Sequence, residues 1–402
     1  MKATLPHSLQ EDLQTKFPDF LLKKMNDFYA NRMGKEWNGK HILRGKIPNE
    51  NSIDLTSNDY LKFSNDPQVL HSQLTAFGEI HQNPLMSASF IHGNNPHTQL
   101  ENRLADFFGA ESAILCQSGY AANLGLMQAL VEDSGVPVYI DMMTHMSVWN
   151  GIRLGNGKAI SFMHNDMSHL ARRINEYGAG IIVVDSVYSS NGSLAPLYEL
   201  AEIARANNCT LIVDESHSFG THGRHGKGLI HESGITDLVL FRTASLAKAF
   251  GSRAGIILCP DGFRDFFNIT SKPQIFSSAL MPFDIIGLRA ISDLIQSETG
   301  DERRSRLHQY SFQLKKLLLE KGIDVTESES QIISLKVNSE SKMMFLKEYL
   351  ENKGIYGAPF CTPATAKKKP LLRFSLHSEL PQDMLEYIAV NCQKAFSALT
   401  LQ

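Results

Sequence analysis

Between residues 54 and 281 the chain alternates short apolar runs with longer segments whose apolar residues recur every three or four positions. The runs are Ser112-Ala113-Ile114-Leu115, Val138-Tyr139-Ile140, Gly180-Ile181-Ile182-Val183-Val184, Leu211-Ile212-Val213 and Gly255-Ile256-Ile257-Leu258. Unbroken Val, Ile and Leu is the pattern of strands covered on both faces, so this stretch reads as α/β, a mostly parallel sheet between two layers of helix. Several runs stop at a residue able to do chemistry: Asp185 and Ser186 after Val184, Asp214 after Val213, and residues 243–248 after Phe241. Sites in such sheets lie at the carboxyl ends of the strands, which predicts that these residues converge on one edge.

The flanks carry different patterns. Residues 9–44 place Phe17, Phe20, Leu21, Met25 and Phe28 three or four apart, which predicts a mainly helical arm packed on something larger. After residue 283 a long helical stretch through residue 319 precedes runs such as Gln331-Ile332-Ile333-Ser334-Leu335, residues 343–350, and Leu371-Leu372-Arg373-Phe374-Ser375-Leu376. Helix and strand in turn suggest a smaller α+β lobe. The expected organisation is an N-terminal arm at 1–53, a large domain at 54–285 and a C-terminal domain at 286–402. There is no internal repeat and no low-complexity tract.

Composition narrows the function. A net charge of −3 over 402 residues gives no general basic face, so neither nucleic acid nor an anionic membrane is an expected partner. One local exception is Lys367-Lys368-Lys369-Pro370, either a solvated turn or a contact for an anionic group such as a coenzyme A phosphate. The first fourteen residues lack the apolar core of a signal peptide, and no apolar segment approaches a membrane span. The five cysteines, Cys116, Cys209, Cys259, Cys361 and Cys392, are scattered and form no CxxC pair. Reduced thiols in a cytoplasmic protein are the expectation.

The chemistry gathers around Lys248, in the small-residue run Ser245-Leu246-Ala247-Lys248-Ala249-Phe250-Gly251. A lysine amine forms imines reversibly, and an apolar or cationic surround keeps it neutral and nucleophilic. Asp214 at a strand end could keep a pyridine nitrogen protonated, and His217 could reach a ring hydroxyl or a substrate carbonyl; taken singly, a helix cap and an ordinary histidine are the alternatives. Lysine, acid and histidine together are what a pyridoxal phosphate enzyme needs. Ser118, Gly119 and Tyr120 sit in a strand–turn–helix junction whose free N–H groups suit a phosphate. His145, just past another strand end, could stack on a planar ring.

Competing motifs fail. There is no GxSxG elbow, and residues 151–158 miss the P-loop spacing by one and offer Ala159 where Ser or Thr is needed. His217, His222, His225 and His231, near Asp214 and Glu215, raise a metal-dependent hydrolase as an alternative class, but no HExxH is present and glycines separate the histidines.

Taken together, these residues resemble the α-oxoamine synthases, pyridoxal 5'-phosphate enzymes of the aspartate aminotransferase fold type. The resemblance covers residues 54–376. Its anchors are Ser57-Asn58-Asp59-Tyr60-Leu61, Ser118-Gly119-Tyr120-Ala121-Ala122-Asn123, Asp185-Ser186-Val187-Tyr188-Ser189, Asp214-Glu215-Ser216-His217-Ser218-Phe219-Gly220, the 245–251 run and Phe276-Ser277-Ser278. It implies a fold type I transferase with a seven-stranded, mostly parallel sheet and a smaller α+β domain. By that likeness Lys248 carries the internal aldimine, Asp214 pairs with the ring nitrogen, His217 bonds the ring hydroxyl and His145 stacks on the ring. Ser118, Gly119, Tyr120 and Ser245 hold the phosphate, and Ser186 joins the cofactor-binding set. Ser277 and Ser278 match the position where a partner subunit reaches into the same site, which implies a homodimer. Arg373 and Asn58 fall where the family grips an amino acid carboxylate.

One departure is informative. Where many members carry glycines, this chain reads Asn83-Pro84-Leu85-Met86-Ser87-Ala88-Ser89-Phe90-Ile91-His92-Gly93. With the run Thr144-His145-Met146-Ser147-Val148-Trp149, this looks like the α-hydroxyketone autoinducer synthases of the cholera-autoinducer type. The implied reaction joins a medium-chain acyl-coenzyme A to S-adenosylmethionine or 2-aminobutyrate with loss of carbon dioxide. Another α-oxoamine synthase, such as 8-amino-7-oxononanoate synthase, is the alternative within the family.

Overall fold

Two-sided burial decides where the apolar runs go. The computed structural model describes residues 17–42, 46–79 and 85–400. Among them are eleven strands: β1 (Ile53–Leu55), β2 (Ser112–Cys116), β3 (Pro137–Asp141), β4 (Lys158–Phe162), β5 (Ile181–Asp185), β6 (Thr210–Asp214), β7 (Phe241–Ser245), β8 (Gly255–Cys259), β9 (Ile332–Lys336), β10 (Ile355–Phe360) and β11 (Leu371–Ser375). Seven form one sheet in the order β2-β8-β7-β6-β5-β3-β4. β4, β3, β5, β6 and β7 run parallel, and β8 is antiparallel to both its neighbours. The expected mostly parallel seven-stranded sheet is therefore present.

Alternate residues of the inner strands feed two cores. Val138 and Ile140, Ile181 and Val183, and Ile212 face one cluster with the helix Gly119–Val131. Tyr139, Ile182, Val184, Leu211 and Val213 face the other, larger cluster. At about 25 cal/mol per Å² of apolar surface removed from water, each buried Val or Ile adds roughly 1.5–3 kcal/mol, which is why neither face tolerates polar residues. β4 escaped sequence reading because it is an edge strand, with only Ile160 and Phe162 buried. β7 begins at Phe241, so Thr243 lies inside the strand and not beyond its end.

The register brings strand ends level. Asp185 lies opposite Asp214 and Asp214 opposite Thr243, while Gly255 sits between Ser245 and Cys116. The 118–120 turn, the 214–217 turn and the loop carrying Lys248 thereby meet at one edge.

The second sheet has the order β1-β10-β11-β9, with β1 parallel to β10 and the rest antiparallel. β1 comes from the N-terminal side of the chain, so the division expected at 53/54 falls inside a strand of the small lobe. The division expected at 285/286 falls inside the helix Pro282–Gln296, which packs on the helices Pro67–Glu79 and Pro96–Phe108. The long helical stretch is in fact two helices: Ser297 accepts the N–H of Gly300 and opens a second, Glu298–Glu320.

The described part of the arm is helical as expected, an α-helix at Asp19–Asp27 continuing into a π-helix at Phe28–Glu36. Residues 9–16 and 43–44 lie outside the described residues. The arm seats Trp37 and Ile42 against Met343 and Met344, and Trp37 Nε1 donates to Glu340 at 2.7 Å. Among the described residues no helix is long and apolar enough to cross a membrane.

Candidate active site

At the carboxyl end of β6, Asp214 is buried and both its oxygens are engaged. Oδ2 accepts from Asn123 Nδ2 at 2.6 Å and Oδ1 from the Ser216 N–H at 2.8 Å. Asn123 lies on the inner face of the helix Gly119–Val131 and accepts the Thr243 hydroxyl at 2.6 Å. These bonds clamp the carboxylate in one orientation. Its neighbour Asp185 accepts a long 3.3 Å bond from the His145 N–H, and burial, reinforced by the charge of Asp214, pushes its carboxyl well above the usual range. Ser186 donates to the Asp214 carbonyl at 3.1 Å, so it braces the strand end.

Lys248 follows β7 and faces the same edge. Burial, aided by the positive charge of Arg373 and opposed by Asp214, brings its ammonium down to about 8. A neutral amine is thus accessible near physiological pH, as imine formation requires. His217 is held neutral, well below its ordinary range, by burial first and then by Lys248, Arg373 and His145. His145 is also shifted down, mainly by burial, with Lys248 adding and Asp214 opposing. It caps the helix Met146–Leu154, its Nδ1 2.7 Å from Ser147 Oγ, and Tyr120 stands edge-on to its ring at 6.4 Å.

Ser118 caps the helix Gly119–Val131 by accepting the Ala121 N–H at 3.1 Å. The N–H groups of Gly119 and Tyr120, the first two of that helix, have no acceptor within it and carry the positive end of its dipole. A Cβ on Gly119 would lie 2.5 Å from Ser245 Cβ, so the turn and Ser245 touch only because residue 119 is glycine. Ser245 is itself fixed, its N–H donating to Ser216 Oγ at 2.7 Å.

From the small lobe, β11 delivers Arg373. Its Nη2 donates to Asn58 Oδ1 and its Nη1 to the Ser189 carbonyl, both at 2.8 Å, and its guanidinium lies 4.7 Å from the Phe360 ring. Among the described residues the buried Nε has no hydrogen-bond partner, which leaves it a donor for a carboxylate. Asn58 also lies 3.3 Å from the hydroxyl of Tyr60, which reaches His217 Nδ1 at 2.6 Å.

The structure therefore brings Lys248, Asp214, His217, His145, Ser186, Arg373 and Asn58 together, with Ser118, Gly119, Tyr120 and Ser245 beside them. Ser277 and Ser278 stand apart. The Ser277 hydroxyl donates to the Pro273 carbonyl at 2.5 Å and Ser278 bridges to Ser87. Tyr60, Asn123 and Ser147 also belong to the site, although their residue types alone assign them no role. The usable signal was spacing, since Asn123 is one helical turn past Gly119 and Ser147 two residues past His145. Among the described residues no three His, Cys, Asp or Glu side chains gather to hold a metal.

A family model, aminotransferase class I and II, matches residues 50–391. The chain belongs to that family. It is an α-oxoamine synthase of fold type I, a pyridoxal phosphate-dependent acyltransferase. It is 38% identical over 380 residues to a CAI-1 autoinducer synthase from Vibrio campbellii, covering 94% of this chain and 96% of that one. It is 29% identical to an 8-amino-7-oxononanoate synthase from Symbiobacterium thermophilum, covering 88% and 92%. Among solved structures, a serine palmitoyltransferase with its pyridoxal phosphate internal aldimine superposes with a TM-score of 0.86 at 25% identity, covering 95% of this chain and 100% of that one.

The residues fit the cofactor on this structure's own terms. A clamped buried carboxylate suits a pyridinium nitrogen, a helix N-terminus beside Ser245 suits a phosphate, and a buried lysine with a depressed ammonium suits an aldehyde.

Proposed function

We propose that this enzyme condenses a medium-chain acyl-coenzyme A with an amino acid donor, S-adenosylmethionine or 2-aminobutyrate, to give an amino ketone precursor of an α-hydroxyketone signal. The observation that supports it most is the meeting of Lys248, Asp214 and Arg373 in one buried site, in a chain similar over nearly its whole length to a CAI-1 autoinducer synthase. In the reaction a carbon–carbon bond forms between the donor's α-carbon and the thioester carbonyl. The carbon–sulfur bond breaks to release coenzyme A, and the donor's carboxylate leaves as carbon dioxide.

Bound pyridoxal phosphate supplies an electron sink for the negative charge that develops at the α-carbon. The chain's own residues do the rest. Arg373 and Asn58 grip the donor's carboxylate and set which bond faces the lysine. Lys248, freed as a neutral amine, takes the α-proton on Nζ and later returns a proton. Asp214 keeps the ring nitrogen protonated. The N–H groups at 119 and 120, with the hydroxyls of Ser118 and Ser245, anchor the phosphate.

The apolar segment 85–91 would receive the acyl tail. Leu85, Met86 and Phe90 are exposed beside Phe266, Ile269 and Phe276, the last 83% exposed one residue before Ser277. A second copy covering this surface would carry its Ser277 and Ser278 to the phosphate, and we assign a homodimer on that ground.

Mass spectrometry of products tests the reading. Wild-type enzyme loaded with pyridoxal phosphate should convert acyl-coenzyme A of about ten carbons with one of the two donors to the decarboxylated amino ketone, and Lys248→Ala should form none. Formation of 8-amino-7-oxononanoate instead would move the chain to that synthase class.

A further inference from the structure

Both site histidines turn Nδ1 toward a hydroxyl. His145 Nδ1 lies 2.7 Å from Ser147 Oγ and 3.3 Å from the Ser147 N–H, which can only donate. Asn123 fills one acceptor position of the serine oxygen, and the Ser147 N–H already marks His145 Nδ1 as an acceptor. Asn123 Nδ2 donates to Asp214 Oδ2, an acceptor, at 2.6 Å, and the same nitrogen donates to Ser147 Oγ at 3.0 Å. Ser147 Oγ already accepts there, so its one proton is free for His145 Nδ1. Two donors on a single ring nitrogen leave no room for a proton on it.

His217 Nδ1 lies 2.6 Å from Tyr60 Oη. The phenol proton meets this nitrogen at 2.6 Å and Asn58 Oδ1 at 3.3 Å, and the side chains of Gln331 and Ser375 also lie beside the hydroxyl. Asn58 Oδ1 is already occupied by Arg373 Nη2 at 2.8 Å and approached by Ser375 Oγ at 3.3 Å. The shorter, less crowded contact takes the proton, and burial keeps the phenol protonated by pushing it up to about 12.

We propose that Ser147 and Tyr60 are positioning residues that hold Nδ1 of His145 and of His217 as acceptors, so that each ring carries its proton on Nε2. That nitrogen is then the one left to donate to cofactor or substrate, a consequence that rests on the proposed function; the tautomers themselves rest only on contacts within the chain. The charged and titratable groups facing the two rings are Lys248, Arg373, Asp214 and Asp185, the phenols of Tyr60 at His217 and Tyr120 at His145, and His145 on His217. Burial is the largest influence on both rings and favours the neutral form, in which a single proton must choose its nitrogen. Asn123 ties the His145 half to the clamped acid, because it orients Asp214 and Ser147 with one amide.

The test is two-bond proton–nitrogen NMR on the full chain labelled with ¹⁵N-histidine, with signals assigned by His145→Gln and His217→Gln. Spectra are taken with and without pyridoxal phosphate. Both histidines should show the pattern of a proton on Nε2 and a bare Nδ1, in the cofactor-free protein as well. Ser147→Ala should alter the pattern of His145 alone and Tyr60→Phe that of His217 alone, while Ser147→Thr should restore the wild-type pattern. A proton on Nδ1 of either histidine in the wild type would overturn the proposal, as would unchanged patterns in Ser147→Ala and Tyr60→Phe. If pyridoxal phosphate produces no visible absorbance band while both tautomers are as expected, the inference stands and the proposed function fails.

Discussion

At Lys248 three influences compete, and their order decides its chemistry. Burial and the charge of Arg373 favour the amine, Asp214 favours the ammonium, and the first two win, with a result of about 8. An ordinary lysine near 10.4 would be almost wholly protonated at neutral pH. In cofactor-free protein mixed with pyridoxal phosphate, the rate at which the visible band grows should therefore rise about tenfold per pH unit below pH 8 and level off above about 9. The sign follows from the neutral amine being the nucleophile. Stopped-flow absorbance across pH 6.5–10 reads it directly, and a rate still climbing steeply at pH 10 would contradict the assignment. Arg373→Met removes a positive charge that lowers the lysine, so its bend should move to higher pH.

At the scale of elements, the phosphate site depends on two segments touching. The helix Gly119–Val131 and the end of β7 meet where a Cβ at position 119 would sit 2.5 Å from Ser245 Cβ and 2.6 Å from its Cα. Backbone cannot swing aside as a side chain can, so Gly119→Ala must part the turn from Ser245. Overpacking of this kind costs about 1–3 kcal/mol. Cofactor affinity should fall roughly tenfold or more, measured by equilibrium titration of the visible band; unchanged affinity would show that the turn does not hold the phosphate.

The same junction marks what could be read from the sequence. Strands buried on both faces announce themselves by unbroken Val and Ile, and the residues ending them, Asp185, Asp214 and the Lys248 run, were placed correctly at one edge. Half-exposed β4 and the short β1 carry too few buried residues to register. The pairing of β1 with β10 joins positions some 300 residues apart, which no local pattern encodes. Tyr60, Asn123 and Ser147 went without roles for a related reason: their importance lies in hydrogen bonds to residues from other elements, and polar residues leave no periodic trace.

For the whole molecule, acid should be felt through buried histidines, against an opposing pull from buried acids. His222, packed edge-on against His308, is brought down to about 3 by burial first, with His308 and Lys315 adding. His377 is brought down to about 4, again mainly by burial. A histidine whose folded value is depressed contributes stability that is present above its unfolded value of about 6.5 and is lost as pH falls towards the folded one. Asp185 and Glu215 act with the opposite sign. Their folded values are raised by burial, so they weaken the fold at neutral pH and cease to do so as they protonate. The net acid slope of the wild type is a difference between these pulls, and a single variant separates them. His222→Asn cannot take up a proton. Whatever it costs at neutral pH in lost packing, it should lose less stability than wild type between pH 6.5 and 4.5, by roughly 2 kcal/mol at one proton over two pH units. Urea unfolding at a series of pH values measures the two slopes, and equal slopes would mean that His222 is already free to charge in the folded protein.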